Sequence, residues 1–526
     1  MTSTAPPASA DVSGSSHARF RWWYGALGGV LSAALGLGVS EVLSGWLHQR
    51  VSPVVAVAES IIQITPGAVI ERVISLVGHD DKPLVIASTL VGLTVISALV
   101  GVVSSRSLAL AELVFLAMGV VLVLAVDSRL SDSSSRYLPA VVGVGVAMVT
   151  LSILAPRAVA VSRRPSGGRE RAAALDRRHF LGAAGAVAVL AAVTIVAGRT
   201  LAQSRQAVDA ARTKLAHTFR RLPTPAGVDL GIAGVANWVT PQSSFYRVDT
   251  ALSVPEILPQ DWRLRVHGMV DREISVTYQD LLDRGLHDFW LTLCCVSNEV
   301  GGNLISNACW SGVPVADILA EAGVHPSADA VQSTSSDGWT AGTPLGALTD
   351  GRNAMLALAM NGQPLTPEHG FPVRMVVPGL YGYVSATKWL VDLNVTRFSD
   401  FSAFWSERGW SPLGPVKTES RIDVPRNGDS LAVGRVAIGG VAWAQHTGIR
   451  RVEVHIDDHP WVTAKLGTDP TTDSWRQWVY VWDATAGTHQ IQVRATDESG
   501  YTQTHVVQPV VPNGATGWDT IDVHVS

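Results

Sequence analysis

The N-terminal part of the chain contains five apolar runs, and each is long enough to cross a lipid bilayer. A transmembrane helix needs about 20 mostly apolar residues, because the hydrocarbon core is about 30 Å thick. The runs are Trp22–Leu47, Pro83–Val103, Leu108–Val126, Tyr137–Pro156 and Phe180–Leu201. Hydrophobic residues make up 47% of the chain and charged residues 16%, as expected for membrane spans joined to a water-soluble part. The sequence therefore predicts a transmembrane α-helical bundle of about five spans over residues 21–202, after a disordered tail at residues 1–20.

Arginines beside these runs predict the orientation of the bundle. Loops rich in Lys and Arg stay in the cytoplasm. Arg19 and Arg21 therefore place the N-terminus inside. The loop after the fourth run is marked in the same way by Arg157, Arg163, Arg164, Arg169, Arg171, Arg177 and Arg178. Two inside ends require an even number of crossings, so we interpret the charged, apolar segment Ser52–Gly78 as lying outside. The fifth run then places everything after Gln203 on the outer face of a cell membrane.

The start of the fifth run resembles a twin-arginine export signal. Arg177-Arg178-His179-Phe180-Leu181 precedes a Gly/Ala/Val-rich run. Two arginines beside a span also satisfy the positive-inside rule, so the charges alone leave both interpretations open. Export is favoured by the cargo, since this route carries proteins already folded around a cofactor and later motifs imply one.

The remaining chain divides into three parts by composition. Residues 203–235 read as a helical neck, Gln203–Arg220, followed by a Pro/Gly-rich linker. Residues 236–411 mix short strand-like runs with helical segments, which predicts an α+β domain. Residues 412–526 are nearly all strand-like, which predicts an immunoglobulin-like β sandwich. The net charge of −4 gives no indication of a nucleic-acid partner.

The stretch Asp288–Leu319 holds every cysteine of the chain: Cys294, Cys295 and Cys309. A strand-like alternation ends at the first two cysteines, and a Ser/Asn/Gly-rich loop follows. Such a junction suits a metal ligand, because the strand fixes the sulfur while the loop leaves room for a cofactor. The residues alone leave open one disulfide with a spare thiol, or one ligand with two bystanders. They also do not choose between Cys294 and Cys295 as the ligand.

Several separated motifs between Asn237 and Ser526 resemble the sulfite oxidase family of molybdopterin-dependent oxidoreductases. They are Cys295-Val296-Ser297-Asn298, Met360-Asn361-Gly362-Gln363-Pro364-Leu365, His369-Gly370-Phe371-Pro372-Val373-Arg374, Val377-Pro378-Gly379 and Lys388-Trp389-Leu390. The resemblance implies a molybdenum–molybdopterin cofactor with Cys295 as the metal ligand. It also implies transfer of an oxygen atom to or from a small substrate, and it makes Cys294 a packed thiol.

The same resemblance implies which residues hold the cofactor. His369, Arg374 and Lys388 are expected at the pterin and its phosphate, and a buried phosphate does need fixed cationic donors. The other implied cofactor contacts are Tyr246, Arg247, Asp337 and Thr387. The implied catalytic set is Cys295, Arg247 and Trp410.

Two departures from the family pattern bear on the substrate. Relatives that oxidise sulfite carry an arginine five positions after the ligand cysteine, where this chain has Val300. Their late active-site tyrosine corresponds to Trp410. The expected substrate is therefore a sulfoxide, another oxoanion or sulfite, without a choice among them.

The resemblance also bears on partners. The haem domain of some relatives has no counterpart here, so no haem is expected in this chain and a separate electron donor or acceptor is implied. The C-terminal part is similar to the family's dimerisation domain. A homodimer is thus implied, although a membrane anchor can replace dimerisation.

Two other classes of function compete with this interpretation. A catalytically silent surface receptor or adhesin would retain the fold with an empty pocket, but such a site should lose its phosphate donors, and His369, Arg374 and Lys388 are intact. A transporter would use the apolar runs, but these contain few charges and few Gly/Pro breaks.

Overall fold

The computed structural model describes residues 22–47, 56–58, 60–61, 65, 81–127, 137–162, 170–201 and 204–526. Contacts divide the chain into two compact units, Met1–Ile64 with Val73–Ala202, and Gln203–Ser526 with Thr65–Arg72. The predicted tail at residues 1–20 and most of Ser52–Gly78 lie outside the described residues. The same is true of Arg19, Arg21, Arg163, Arg164 and Arg169.

Long helices form the described part of the first unit. They are α1 (Trp22–Trp46), α2 (Asp81–Val103), α3 (Leu108–Asp127), α4 (Leu138–Ser162) and α5 (Glu170–Leu201). Four of them are long and apolar enough to cross a membrane, whereas the apolar part of α2 is the shorter segment Ala87–Val103. These helices are compatible with a membrane anchor, and the count of five spans stays a prediction. Helix α5 begins at Glu170 rather than at Phe180, so Arg177 and Arg178 lie inside it.

The second unit begins with the neck and the mixed α+β region. Its helices are α6 (Ser204–Leu215), α7 (Tyr278–Asp283), α8 (Val315–Ala322), α9 (Leu345–Thr349) and α10 (Gly382–Ser385). Its strands are β1 (Arg263–Gly268), β2 (Ile274–Thr277), β3 (His287–Cys294), β4 (Ile305–Pro314), β5 (Ala330–Ser335), β6 (Thr340–Pro344), β7 (Met355–Met360), β8 (Gln363–Pro364), β9 (Arg374–Val376) and β10 (Leu390–Thr396). One sheet has the order β2-β1-β10-β5-β6, and the other has the order β3-β4-β7-β8 with β9 paired to β7.

Strand β3 carries the first cysteine of the pair and separates two apolar cores. Leu291 and Leu293 pack in one cluster with Trp310, whereas Trp290 and Cys294 pack against the other. This alternation is what a strand buried on both faces requires, since successive side chains point to opposite faces. The end of β3 is therefore fixed from both sides.

The C-terminal region is made of two sheets. Its strands are β11 (Glu419–Val424), β12 (Ser430–Leu431), β13 (Gly434–Trp443), β14 (Ile449–Ile456), β15 (Val462–Thr463), β16 (Lys465–Leu466), β17 (Arg476–Ala484), β18 (Gly487–Asp497) and β19 (Asp519–Val525). The sheet orders are β11-β13-β17-β16 and β12-β19-β18-β14-β15. Ile438 and Trp478 of one sheet share a core with Val452 and Ile491 of the other. A β-rich region is confirmed, and its immunoglobulin-like type stays a prediction.

Two tryptophans join the α+β region to these sheets. The indole N–H of Trp238 donates to the carbonyl of Trp475 at 3.0 Å, and the indole N–H of Trp475 donates to the carbonyl of Trp238 at 3.0 Å. The backbone N–H of Trp475 also donates to the hydroxyl of Thr292, on β3, at 2.7 Å. Both rings are buried. This reciprocal pair fixes β3 against the C-terminal region.

We predict that Trp475→Phe lowers the free energy of unfolding by about 1–2 kcal/mol, because a buried hydrogen bond and part of a buried ring are lost. Thermal unfolding of the full-length protein in detergent measures this. The matched control is Trp461→Phe, which replaces a half-buried indole elsewhere in the C-terminal region. This variant should lower the free energy of unfolding by less. Equal losses in the two variants would contradict the role assigned to the pair.

Candidate functional site

Cys295 follows β3 directly and begins a tight turn. Its backbone N–H donates to the carbonyl of Leu304 at 2.9 Å, and its carbonyl accepts from the N–H of Asn298 at 3.0 Å. The side-chain oxygen of Asn298 accepts from the N–H of Leu304 at 2.8 Å, which closes the turn. The Cys295 residue is only 8% exposed, and all three cysteines of the chain are free thiols. The cysteines therefore do not form the disulfide that the sequence left open.

The two adjacent thiols have different surroundings. Burial raises the pKa of Cys295, while the N–H and the hydroxyl of Ser297 and the charge of Lys388 lower it. Burial also raises the pKa of Cys294, to well above its usual value, and the negative charge of Glu419 adds to this effect. Hydrogen bonds from Ser297 therefore favour a thiolate at Cys295, whereas at Cys294 the charge of Arg421 does not overcome the effect of burial and the sulfur packs in the apolar core.

Two buried cations meet at a glycine near this turn. Arg374 on β9 is 4% exposed, and Lys388, just before β10, is 8% exposed. The φ angle of Gly370 is +98°, and a Cβ added there would lie 3.0 Å from the Cβ atoms of both residues. Only glycine adopts this backbone conformation readily and leaves that space open. Gly370 thus allows the two cationic side chains to lie close together.

Carbonyl groups and a ring hold Arg374. Its Nη1 donates to the carbonyl of His369 at 3.4 Å and its Nη2 to the carbonyl of Ala386 at 3.3 Å. Its guanidinium carbon lies 5.1 Å from the ring centre of Trp310. Burial lowers the pKa of Arg374 to about 10, so the side chain stays charged at neutral pH. Its Nε is buried without a hydrogen-bond partner among the described residues.

Lys388 is paired with a carboxylate that the sequence analysis missed. Its Nζ donates to Oδ2 of Asp249 at 3.0 Å, and Nε of Arg247 donates to the same oxygen at 3.0 Å. Burial lowers the pKa of Lys388 to about 8, while Asp249 opposes that shift. Arg247 is half-exposed, but the side chain of Asp249 is only 5% exposed. One signal in the sequence could have found Asp249, because a buried lysine needs a counter-charge and this carboxylate follows Arg247 closely.

His369 and Tyr246 complete the cluster that Cys295, Arg374 and Lys388 form. Nε2 of His369 lies 3.0 Å from the carbonyl of Gln242, which fixes the proton on that nitrogen. Burial and the charges of Lys388 and Arg374 lower the pKa of His369 to about 4, so the ring is neutral. Its Nδ1 is buried and, in the part of the chain that is described, lacks a partner. Burial and the nearby Cys295 raise the pKa of Tyr246, so this hydroxyl keeps its proton.

The other residues named from the sequence have structural partners. The hydroxyl of Thr387 is fully buried and lies 2.6 Å from that of Ser333. Asp337 accepts from the N–H of Trp339 at 3.1 Å in the turn between β5 and β6. Trp410 is 8% exposed and packs against the rings of Tyr383 and Trp405. The contacts described for Trp410 do not join it to the cluster. The structure thus brings together Tyr246, Cys295, His369, Arg374 and Lys388, with Arg247 reached through Asp249.

The donors of this cluster fit a large anion that also carries a metal. Arg374 and Lys388 supply two buried positive charges, and Cys295 supplies a thiol with donors for its anionic form. A buried polar atom without a partner costs about 1–3 kcal/mol, so Nε of Arg374 and Nδ1 of His369 are suited to bind a ligand. The ligand expected from this arrangement is anionic and offers both acceptors and donors.

A protonated carboxyl lies on the other side of the cysteine strand. Glu419, the first residue of β11, is 4% exposed, and its Oε1 is unpaired within the described residues. Burial raises the pKa of Glu419 to about 8, against the opposing charge of Lys417. Glu419 is therefore neutral at pH 7, and its negative charge raises the pKa of Cys294 only at the higher pH where the carboxyl is ionised.

We predict that the stability of the Glu419→Gln variant, relative to wild type, increases as pH rises. At pH values between the ordinary pKa of 4.5 and the raised pKa of about 8, Glu419 is protonated in the folded protein and ionised in the unfolded protein. The contribution of Glu419 to the stability of the wild-type protein is present in full below pH 4.5 and is lost as pH rises through about 8. The variant should gain about 1–2 kcal/mol over wild type between about pH 6 and pH 8. Thermal unfolding across that range measures this. Glu498→Gln, at an exposed carboxylate, is the control, and a pH-independent gap for Glu419→Gln would contradict the assignment.

Comparisons with known proteins show which sequences this chain is similar to. The model of the oxidoreductase molybdopterin binding domain matches residues 251–405. Human mitochondrial sulfite oxidase is 29% identical over 344 residues, which cover 55% of this chain and 62% of that protein. The uncharacterized oxidoreductase YuiH of Bacillus subtilis is 36% identical over 153 residues, which cover 29% of this chain and 74% of that protein.

A solved structure is also similar. The sulfane dehydrogenase SoxCD of Paracoccus pantotrophus shares 25% identity, covers 55% of this chain and 82% of its own, and has a TM-score of 0.46. The chain spans about three-fifths of the length of the human relative. The matched domain and the sequence relatives give the same result: the chain belongs to the sulfite oxidase family of molybdopterin-dependent oxidoreductases.

Proposed function

We propose that this protein is a membrane-anchored oxidoreductase that uses a molybdenum cofactor to move an oxygen atom to or from a small oxo-compound. One observation carries the proposal. The thiol of Cys295 lies in the same cluster as the buried cations Arg374 and Lys388, and the cluster contains buried donor atoms without partners. The three residues come from separate segments, and their meeting gives a site for an anionic, metal-carrying ligand.

Each residue of the cluster has a role suited to its chemistry. Cys295 would bind the metal as a thiolate, which Ser297 and Lys388 favour. Arg374 would bind the cofactor phosphate through its free Nε, and Nδ1 of His369 would accept from the pterin. When bound, the cofactor supplies a metal centre that exchanges two electrons together with one oxygen atom. The protein supplies the thiolate, the fixed charges and a water-poor site.

Two departures from the family pattern favour a substrate other than sulfite. Val300 stands where sulfite-oxidising relatives carry an arginine, and Trp410 stands in place of their tyrosine. Val300 is half-buried and packs beside Gly517, where an added Cβ would lie 3.5 Å from Cγ2 of Val300. One cation and one hydroxyl are thus replaced by apolar groups, which favours a sulfoxide or a weakly charged oxo-compound over the sulfite dianion. Activity with artificial redox dyes across sulfoxides, nitrate and sulfite tests this choice.

The location and partners follow from the sequence. The arginine-rich loop before α5 supports a cytoplasmic N-terminus and an oxidoreductase region on the outer face of the cell membrane. Arg177 and Arg178 support export through the twin-arginine route. A separate electron donor or acceptor would exchange electrons with the metal, and the C-terminal region would pair two copies of the chain.

We predict that Cys295→Ser lowers activity at least about 100-fold, because the metal loses its thiolate ligand. X-ray absorption of the bound molybdenum should show one sulfur neighbour fewer than in wild type. The matched control is Cys294→Ser, which should keep the wild-type spectrum because Cys294 faces the apolar core. Identical spectra for Cys295→Ser and wild type would contradict the ligand assignment. Wild-type protein that contains neither molybdenum nor pterin would contradict the proposed function itself.

We predict opposite effects of Arg374→Met on stability and on cofactor content. Removing a buried cation that lacks a carboxylate partner should stabilise the cofactor-free protein by about 1–2 kcal/mol. The same change should reduce the pterin bound per chain. Thermal unfolding of cofactor-free protein and pterin fluorescence measure the two effects. Arg352→Met is the control, because Arg352 pairs with Asp350 at 2.7 Å and its removal should destabilise. Loss of stability in the cofactor-free Arg374→Met protein would contradict the role of Arg374 as an anion site.

A further inference from the structure

Helix α6 presents one face to the segment that carries His369. Arg205, Val208 and Arg212 are spaced three and four residues apart, so they lie along a single stripe of the helix. Val208 is fully buried and packs in the same apolar cluster as Leu365 and Phe371. In sequence, the helix follows α5 after residues 202–203. The segment that leaves the apolar helices is thus part of the packing around the cofactor site.

Arg212 holds the chain just before the His369 turn. Its Nε donates to the carbonyl of Leu365 at 2.7 Å, and its Nη2 lies 3.5 Å from the carbonyl of Pro364. The side-chain amide of Gln242 donates to the carbonyl of Pro364 at 3.4 Å, and the carbonyl of Gln242 accepts from His369. A charged donor on a buried carbonyl makes a strong hydrogen bond. Arg212 therefore fixes the strand that leads into the His369 turn.

Arg205 holds the turn itself. Its Nη2 forms an ion pair with Oε1 of Glu368 at 2.5 Å, and its Nη1 lies 3.9 Å from Oε1 of Glu256. Glu368 belongs to the short helical turn Pro367–His369. The pair is half-exposed, so each charge is partly screened by water. Arg205 adds a second, weaker contact at the position next to His369.

The Pro367–His369 turn also forms hydrogen bonds with the segments that carry Lys388 and Arg374. The carbonyl of Pro367 accepts from the indole N–H of Trp389 at 2.8 Å, directly after Lys388 in the chain. The carbonyl of His369 accepts from Nη1 of Arg374. A shift of the turn would therefore move the imidazole and both cations together.

We propose that α6 is a positioning element of the cofactor site, and that Arg212 and Arg205 are required for full retention of the cofactor. This proposal rests on the proposed function, because it concerns the same molybdenum cofactor. It couples the segment next to the membrane-compatible helices to the geometry of the phosphate-binding cations.

The test uses full-length protein purified in detergent and measures molybdenum and pterin per chain, together with their rate of loss after gel filtration. Arg212→Ala should release the cofactor roughly tenfold faster than wild type, which corresponds to the loss of one strong charged hydrogen bond. Lys214→Ala is the matched control, because it removes one exposed positive charge from the same helix. Its rate of loss should equal that of wild type.

A second set of variants separates positioning from general stability. Arg205→Glu should speed release about two- to threefold. The double variant Arg205→Glu with Glu368→Arg should restore part of the retention, because the main ion pair is re-formed with reversed charges while Glu256 then faces a like charge. A role in general stability alone would lower the unfolding temperature of Arg205→Glu and leave its rate of cofactor loss at the wild-type value. If Arg212→Ala does not fold, the charge-reversal pair decides the question.

Two outcomes overturn the proposal, and both are distinct from failure of the proposed function. Wild-type rates of cofactor loss in Arg212→Ala would overturn it, as would the absence of rescue in the charge-reversed pair. In either case wild-type protein would still contain molybdenum and pterin. Wild-type protein without either would contradict the proposed function instead.

Discussion

The burial of two positive charges next to one thiol is the constraint on which this structure depends. Moving a charged side chain out of water costs several kcal/mol unless a partner offsets the loss. Asp249 offsets the charge of Lys388, whereas Arg374 has only carbonyl groups and the ring of Trp310. The lowered pKa values of both cations express the remaining cost. Such an arrangement is poor for stability alone and well suited to an anionic ligand.

The fold supports this arrangement from two sides. Helix α6 holds the turn that precedes Arg374, while the C-terminal sheets hold the cysteine turn. In these sheets, Nη1 of Arg421 on β11 donates to the carbonyl of Gly302 at 2.7 Å. The next residue of β11, Ile422, donates its N–H to Oδ2 of Asp519 on β19 at 2.7 Å. The thiol and the cations are therefore positioned by separate parts of the unit. Their relative position depends on the packing of the α+β region between those parts.

Some strands and helices are predicted closely by the sequence because their signals are local, whereas strands β4 and β7 are not predicted. Alternation of apolar residues predicts strands at Phe289–Cys295 and Ile449–Asp457, within about two residues of β3 and β14. The sequence also predicts a helical segment at Val315–Ala322, which has the same bounds as α8. Asp249 was missed because its partner Lys388 is 139 positions away, and a carboxylate shortly after Arg247 is only a weak indication of such a contact. The Pro/Gly-rich segment predicted as a linker also forms contacts, since the N–H of Leu230 donates to Oε1 of Gln477 at 2.7 Å. Composition cannot show whether such a segment packs.

The choice between the two adjacent thiols shows why the site needed a structure. Cys294 and Cys295 share a strand end, and any rule based on alternation treats them alike. Their electrostatic surroundings separate them, because Ser297 and Lys388 favour an anion at one sulfur, while an apolar core and Glu419 disfavour it at the other. Glu419 is neutral at pH 7, so its repulsion of a thiolate at Cys294 adds to the effect of burial only at higher pH. The selectivity for one thiol thus comes from contacts made by distant segments, and the local motif acquires its chemistry only in the folded chain.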